Sequence, residues 1–174
     1  DENFQCEILD SFADYDKAFD ANETVDGVAD SNSQPLKGNF NQLRKLKGMY
    51  PDLRVLISIG GWSESYRFSD MASTPQGRQA FINSCIDMFI RGNVAEGISA
   101  AGVFDGIDID WEYPGRCGAT CDYREEDPQN FALLLEEFRA ALEREESDVA
   151  DVVGTRPEYL LTIAAPAGEY YYEV

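Results

Sequence analysis

No histidine occurs anywhere in the 174 residues. That absence removes every Ser-His-Asp or Cys-His nucleophile system and every His-ligated zinc or haem site, and it leaves acid-base chemistry to carboxylates, tyrosine, lysine or cysteine. Lysine is scarce too, confined to Lys17, Lys37, Lys45 and Lys47. Against 14 Lys plus Arg stand 33 Asp plus Glu, a net charge of -19, and such a surface repels phosphate backbones and anionic lipid. Nucleic acid and membrane are therefore not expected partners. No apolar run approaches the roughly 18 residues of a spanning helix, and Asp1-Glu2-Asn3-Phe4-Gln5-Cys6 carries neither the basic nor the apolar region of a signal peptide. Internal repeats and low-complexity tracts are also missing. What is present is a core: 44% hydrophobic and 12% aromatic residues fit a globular chain of one domain, or a piece of one. The acidic, lysine-poor surface resembles that of proteins from high-salt organisms, where screening relieves self-repulsion, and reads equally as that of an ordinary acidic secreted enzyme.

Punctuation and periodicity define an alternating chain. Residues 53–59 are short, β-branched and nearly continuously apolar, stopping at Gly60-Gly61, as a parallel strand would. Thr74-Pro75 supplies a helix cap and first-turn proline, and Phe81, Ile82, Cys85, Met88 and Phe89 follow at helical spacing. A second strand is expected over 103–109. Asp127-Pro128 repeats the cap signal before Phe131, Leu134, Leu135, Phe138 and Leu142, and Pro157 introduces a third strand over 159–165. Upstream, 39–49 reads as a helix, while 10–35 is an aspartate-rich excursion with little periodicity. Strand-helix alternation implies right-handed βα units on a parallel sheet, doubly wound or closed into a barrel.

The informative stretch is Phe104-Asp105-Gly106-Ile107-Asp108-Ile109-Asp110-Trp111-Glu112-Tyr113-Pro114. If the strand continues, Asp108, Asp110 and Glu112 emerge on one face, neighbours about 6.6 Å apart, with Ile107 and Ile109 on the other. Two ionised carboxylates at that distance repel by about 2.5 kcal/mol at an effective dielectric of about 20, so at least one is expected to hold a proton near neutral pH. A proton-holding carboxyl beside ionised ones is what an acid protonating a leaving group requires. A solvated acidic edge is the bland reading, but the interleaved isoleucines mark a buried strand. Magnesium-dependent phosphoryl transfer is a sharper rival, opposed by the missing glycine-rich phosphate loop and by the net charge. An EF-hand loop does not fit the spacing.

Asp105-x-x-Asp108-x-Asp110-x-Glu112 resembles the DxxDxDxE signature of the family 18 glycoside hydrolases, the chitinases. Tyr113-Pro114 extends the likeness, and Ser58-Ile59-Gly60-Gly61-Trp62 resembles the family's SxGGW motif on the preceding strand. Ala164-Ala165-Pro166-Ala167 is similar to the strand after the catalytic one. The resemblance implies a (β/α)₈ barrel with its site at the C-terminal strand ends and hydrolysis, with retention, of chitin or other β-1,4-linked N-acetylglucosamine oligosaccharides without cofactor or metal. It implies Glu112 as general acid and then base, Asp110 orienting the substrate's acetamido group, Asp108 sharing a proton with Asp110, and Asp105, Ser58 and Tyr113 as support. Trp62 and Trp111 would touch sugar, although Trp62 reads equally as packing. An endo-β-N-acetylglucosaminidase and a chitin-binding lectin of the same fold are the alternatives; Trp111-Glu112-Tyr113-Pro114 favours a chitinase, and the lectins usually lack the acid.

A barrel of this kind needs about 250 residues, and the family's aromatic first strand, its Met-x-Tyr-Asp strand and its tryptophan floor find no match. Tyr170-Tyr171-Tyr172 fit no family pattern. The chain is thus expected to be a fragment, with 1–174 lying in a single catalytic barrel domain, carrying strands three to five, and monomeric when complete. Four cysteines allow three pairings and suit an oxidising, extracellular setting. The loop holding Cys117 and Cys121 is similar to that of bacterial secreted chitinases. Cys117 with Cys121 is the preferred pair, leaving Cys6 with Cys85. A zinc site is the rival, and Cys85 on an apolar helix face reads equally as a buried thiol.

Overall fold

The computed structural model describes residues 3–167; Tyr170-Tyr171-Tyr172 lie outside them. In chain order the elements are α1 (Gly38–Met49), β1 (Leu56–Gly60), α2 (Phe68–Ala72), α3 (Pro75–Cys85), β2 (Asn93–Ala95), β3 (Ile98–Ser99), β4 (Gly106–Asp110), α4 (Asp127–Val153) and β5 (Leu160–Ile163). Strands β1, β4 and β5 form one sheet in that order. Asp105 N–H donates to the Val55 carbonyl and Gly61 N–H to the Asp110 carbonyl, so both chains advance together. The α/β class and parallel sheet expected from the alternation are what the chain adopts.

Two compact units share these elements, the boundary falling inside β1 and α3 and at the start of β4. In the first, comprising 1–57 and 79–106, Phe104 is the aromatic hub: Phe40 and Phe89 meet it edge-on with ring centroids 5.1 and 5.7 Å away. Each such pair adds about 0.5–1.5 kcal/mol beyond the area it buries. Cys6 and Cys85 form a disulfide here, which replaces the buried-thiol reading of Cys85. Helix α3 starts as expected, with Thr74 Oγ1 accepting the Gly77 N–H at 3.1 Å, and passes into a π-turn at Ile86–Ile90.

The second unit comprises 58–78 and 107–174. Trp111 lies between Phe68 and Phe131, centroids 5.8 and 5.4 Å away, above fully buried Ile107, Ile109, Leu134, Phe138 and Leu142. Several boundaries differ from the sequence reading. β4 begins three residues late, because the Gly102 and Val103 carbonyls are taken by Lys47 Nζ rather than by a neighbouring strand. Helix α4 runs well past Leu142, where the apolar pattern ends, because Glu, Arg and Ala propagate a helix without burial. Asp127 is not a capping side chain: the N-cap is Glu126, without a side-chain bond. The β2-β3 hairpin and the π-turn at Phe12–Asp16 had no sequence signal.

Candidate active site

The acidic run is held from both ends. In the first unit, the Asp105 carboxylate accepts the Val55 N–H at 2.8 Å and pairs with Lys47 at 2.8 Å and Arg54 at 3.4 Å. It therefore ties the chain entering β4 to the chain entering β1. From there alternation sends Ile107 and Ile109 into the core, both 0% exposed, and Asp108 and Asp110 to the opposite face, half-buried.

These two aspartates are treated differently by their surroundings. Both oxygens of Asp108 are claimed: Ser58 Oγ on β1 donates to Oδ2 at 2.8 Å, and Thr162 Oγ1 on β5 donates to Oδ1 at 2.5 Å. The Ser58 contact agrees with the supporting position expected for it. Thr162 was missed by sequence reasoning, yet it carried a signal, being the one hydroxyl in the otherwise apolar run Leu160-Leu161-Thr162-Ile163. Asp110, by contrast, has a buried Oδ1 with no hydrogen-bond partner among the described residues. Burial first, then the negative charges of Glu112 and Asp108, push its carboxyl above the ordinary value of 3.8. Charge crowding alone was the sequence argument; desolvation is the larger cause.

Glu112 does not share the strand. β4 ends at Asp110, whose carbonyl accepts the Gly61 N–H at 2.8 Å, and Trp111 then turns into the core, 4% exposed. The expectation of three carboxylates projecting from one strand face is corrected accordingly: two do, and the third stands on the loop beyond. Its backbone is pinned by Ser65, whose Oγ accepts the Glu112 N–H at 3.1 Å and whose hydroxyl reaches the Glu112 carbonyl at 3.4 Å. Gly118 packs on that same carbonyl with no room for a Cβ. Ser65 had no sequence signal at all.

Trp111 is likewise corrected as a sugar contact, because its indole is edge-packed by two phenylalanines inside the second unit. Trp62 is 56% exposed and available to a ligand. Tyr113 is half-buried, its carbonyl accepting the Arg116 N–H at 3.4 Å. Cys117 and Cys121 are joined, closing the loop that contains Gly118. Behind that loop a buried network forms: Asp127, 0% exposed, accepts from Ser69 Oγ and from the Arg124 N–H, each at 2.9 Å, and Arg124 Nη1 donates to Ser69 Oγ at 2.8 Å. Among the described residues no group of three or more His, Cys, Asp or Glu is placed to hold a metal ion, and no helix is long and apolar enough to cross a membrane.

An arrangement of this kind offers one carboxyl biased toward its protonated form, a second locked by hydroxyls, and a third on a pinned loop. Comparison with known proteins matches it to one family. The model for Glycosyl hydrolases family 18 covers residues 5–174. Chitinase C of Streptomyces lividans is 49% identical over 136 residues, which is 78% of this chain and 20% of that protein. Among solved structures, the catalytic domain of psychrophilic chitinase B from Arthrobacter TAD20 superposes with a TM-score of 0.85 at 35% identity, covering 99% of this chain and 44% of that one. A family 18 N-acetylglucosaminidase from Paenibacillus barengoltzii superposes with a TM-score of 0.60 at 39% identity, covering 82% of this chain and 36% of that one. The chain spans about a fifth of the length of the curated relatives it matches. With nearly its whole length matched by the family model, this chain belongs to glycosyl hydrolases family 18.

Proposed function

We propose that these residues carry the acid and the positioning carboxylates of a secreted chitinase that cleaves β-1,4 links between N-acetylglucosamine units with retention. The observation that carries the reading is the contrast between the two strand aspartates: Asp108 saturated by Ser58 and Thr162, Asp110 with a buried oxygen unpartnered among the described residues and a raised carboxyl pKa. An unpartnered buried oxygen is costly unless a ligand completes it. The N–H of a substrate acetamido group would do so, turning that group's carbonyl oxygen toward the anomeric carbon. Glu112 then protonates the glycosidic oxygen as the acetamido oxygen attacks, giving an oxazolinium whose positive charge Asp110 stabilises. Water deprotonated by Glu112 opens that ring. Ser65 and Gly118 keep Glu112 in place, and Ser58 and Thr162 hold the Asp108 carboxylate on the same strand face as Asp110.

In this reading the described chain contributes to one (β/α)₈ catalytic domain, with β1, β4 and β5 as its third to fifth strands, acting as a monomer. The likeness to 44% of a chitinase catalytic domain supports that assignment. The two disulfides support an extracellular setting. The N-acetylglucosaminidase among the structural neighbours favours one other reading, release of single N-acetylglucosamine units.

One experiment addresses both. In the full chain, Glu112→Gln abolishes nearly all hydrolysis of chitin oligosaccharides while still binding them, because it removes a proton donor and little ground-state contact. Product analysis of the unsubstituted protein gives disaccharide and longer products from a chitinase and monosaccharide alone from the other enzyme. Rapid cleavage of fully deacetylated chitosan, or undiminished turnover by Glu112→Gln, would refute the substrate-assisted assignment.

A further inference from the structure

The second unit buries a carboxylate that the proposed chemistry does not use. Asp127, the first residue of α4, is 0% exposed. Its Oδ1 accepts from Ser69 Oγ at 2.9 Å, and its Oδ2 accepts the Arg124 N–H at 2.9 Å and the Gly115 N–H at 3.4 Å. Acids are almost never fully buried unless paired, and desolvating one can cost more than its partners return, so stability alone is a weak reason for its presence. Capping is no better a reason: an exposed serine or threonine would cap a helix, and α4 starts after Glu126 without a side-chain cap.

What the carboxylate holds is the loop that follows Glu112. Gly115 lies three residues past Glu112 and Arg124 three residues before Asp127, so one oxygen gathers both ends of 115–124. Each end is gripped a second time. Gly115 has φ +73°, and a Cβ built there would lie 3.1 and 3.2 Å from Cδ and Cγ of Pro128, the residue after Asp127. Arg124 reaches Ser69 Oγ through Nη1 at 2.8 Å and Asp70 through Nη2 at 2.6 Å.

Between those ends the Cys117–Cys121 disulfide closes a smaller loop, and Gly118 inside it packs on the Glu112 carbonyl. Two anchors thus meet at the acid. Ser65 grips the Glu112 peptide groups directly, whereas Gly118 depends on the loop being closed at its base. Three residues reach at most about 11 Å, so a shift at Gly115 passes to Glu112 with little slack.

We infer that Asp127 is a positioning residue for Glu112, its buried carboxylate closing the base of the 115–124 loop and so fixing the backbone that carries the acid. The inference rests on Glu112 being the acid, as the proposed chitinase reading has it, and goes beyond that reading.

The test separates proton donation from folding. A sugar departs only when its oxygen is protonated, whereas 4-nitrophenolate departs readily as an anion, so a misplaced acid slows the first far more than the second. kcat/KM is measured in the full chain on the N-acetylglucosamine tetrasaccharide and on the 4-nitrophenyl glycoside of its disaccharide. For Asp127→Ala the tetrasaccharide value falls on the order of a hundredfold and the ratio of tetrasaccharide to aryl glycoside falls about tenfold or more. Asp127→Asn, whose carbonyl oxygen accepts the two N–H groups while its amide donates to Ser69 Oγ, restores most of that ratio. Lost folded protein lowers both values alike, so an unchanged ratio in Asp127→Ala overturns the inference, whether both substrates slow equally or neither does. If that variant does not fold, Asp127→Glu, which displaces the same oxygens by one methylene, is read by the same criterion. Failure of the underlying reading shows differently: the unsubstituted protein would then cleave neither substrate. In that event amide hydrogen exchange decides. Exchange at the Glu112 N–H about tenfold faster in the variant, with amides of the first unit unchanged, upholds the hold of Asp127 on Glu112, and equal exchange overturns it.

Discussion

Gly60 is packed closely against the end of β4, and it yields a quantitative test of how β1 positions Asp110. Its φ is +111°, a region that residues with a Cβ rarely adopt, and a Cβ built there would overlap the Asp110 carbonyl oxygen and lie 3.1 Å from the Asp110 carbonyl carbon and 3.0 Å from Phe68 Cζ. The overlap with the carbonyl oxygen is the larger, and because ordinary C···O contacts lie at about 3.3–3.6 Å, Gly60→Ala forces the β4 backbone or β1 itself to retreat by on the order of 1 Å. The Gly61 N–H to Asp110 carbonyl bond, 2.8 Å long, stands in the direction of that retreat. A residue held in a sparsely populated backbone region costs about 1–3 kcal/mol, and overpacking adds about 1–3 kcal/mol. Displacing a catalytic group by about 1 Å costs on the order of a hundredfold in rate. Gly61→Ala is the control, because its φ is also positive, +88°, yet its Cβ would meet nothing closer than Asp110 Oδ2 at 3.7 Å. Urea unfolding and kcat on a chitin oligosaccharide are measured for both variants in the full chain. Gly60→Ala is expected to lose about 2–6 kcal/mol of stability and on the order of a hundredfold in kcat, and Gly61→Ala about 1–3 kcal/mol and less than tenfold in kcat. Equal losses in the two variants would refute the argument, since only backbone conformation, and not the close approach of the strands, would then matter.

Asp110→Asn should stabilise the fold at neutral pH and not in acid. A carboxyl whose folded pKa is raised loses stability as pH climbs from its ordinary 3.8 through the folded value, and the amide escapes that loss; denaturant titrations at acid and neutral pH showing the same effect of the substitution would refute this. Thr162→Val should cost about 1.5–3 kcal/mol at most, from the loss of one hydrogen bond to a carboxylate, and lower kcat more than it raises KM, which steady-state kinetics read directly. In the chain-entropy account, removing Cys6–Cys85, which closes a separation of 79 residues, costs about 4.5 kcal/mol, against about 2 kcal/mol for Cys117–Cys121, which closes a separation of 4; paired Cys→Ser variants compared by unfolding give the order. With a net charge of -19, melting temperature should rise between low and molar KCl as screening weakens repulsion, and a flat or falling response would favour an ordinary acidic enzyme.

Legibility in the sequence followed the range of each interaction. Strands β1, β4 and β5 and helices α1, α3 and α4 were visible because their apolar periodicity is local. The positions of Asp108 and Asp110 followed from alternation once β4 was recognised. Glu112 was placed on the wrong element, because what fixes it is a serine 47 residues earlier in the chain, and alternation says nothing about where a strand stops. Thr162, 54 residues beyond Asp108, belongs to the same class of partner. The tail of α4 was invisible for the opposite reason: its Glu and Arg residues are strong helix formers with no apolar face to announce them, and a single buried acid, Glu146, docks it by accepting from Arg139, Arg156 and the Tyr159 N–H.

That division has a chemical consequence at the site. Periodicity alone would make Asp108 and Asp110 equivalent, two acids on one face of one strand, and equivalent acids would share the effects of crowding evenly. The hydroxyls that separate them come from the strands on either side of β4, Ser58 from β1 and Thr162 from β5, and both are spent on Asp108. Asp110 is left with burial and, among the described residues, no compensating donor on Oδ1, so the cost of ionising it stays in place until something supplies a hydrogen bond there. Moving a donor to Asp110 would remove that cost and with it the reason for a ligand amide to be drawn to that oxygen. The parallel order β1-β4-β5 thus does more than support β4: by choosing which aspartate its neighbours satisfy, it chooses which one, in the proposed function, remains for the substrate.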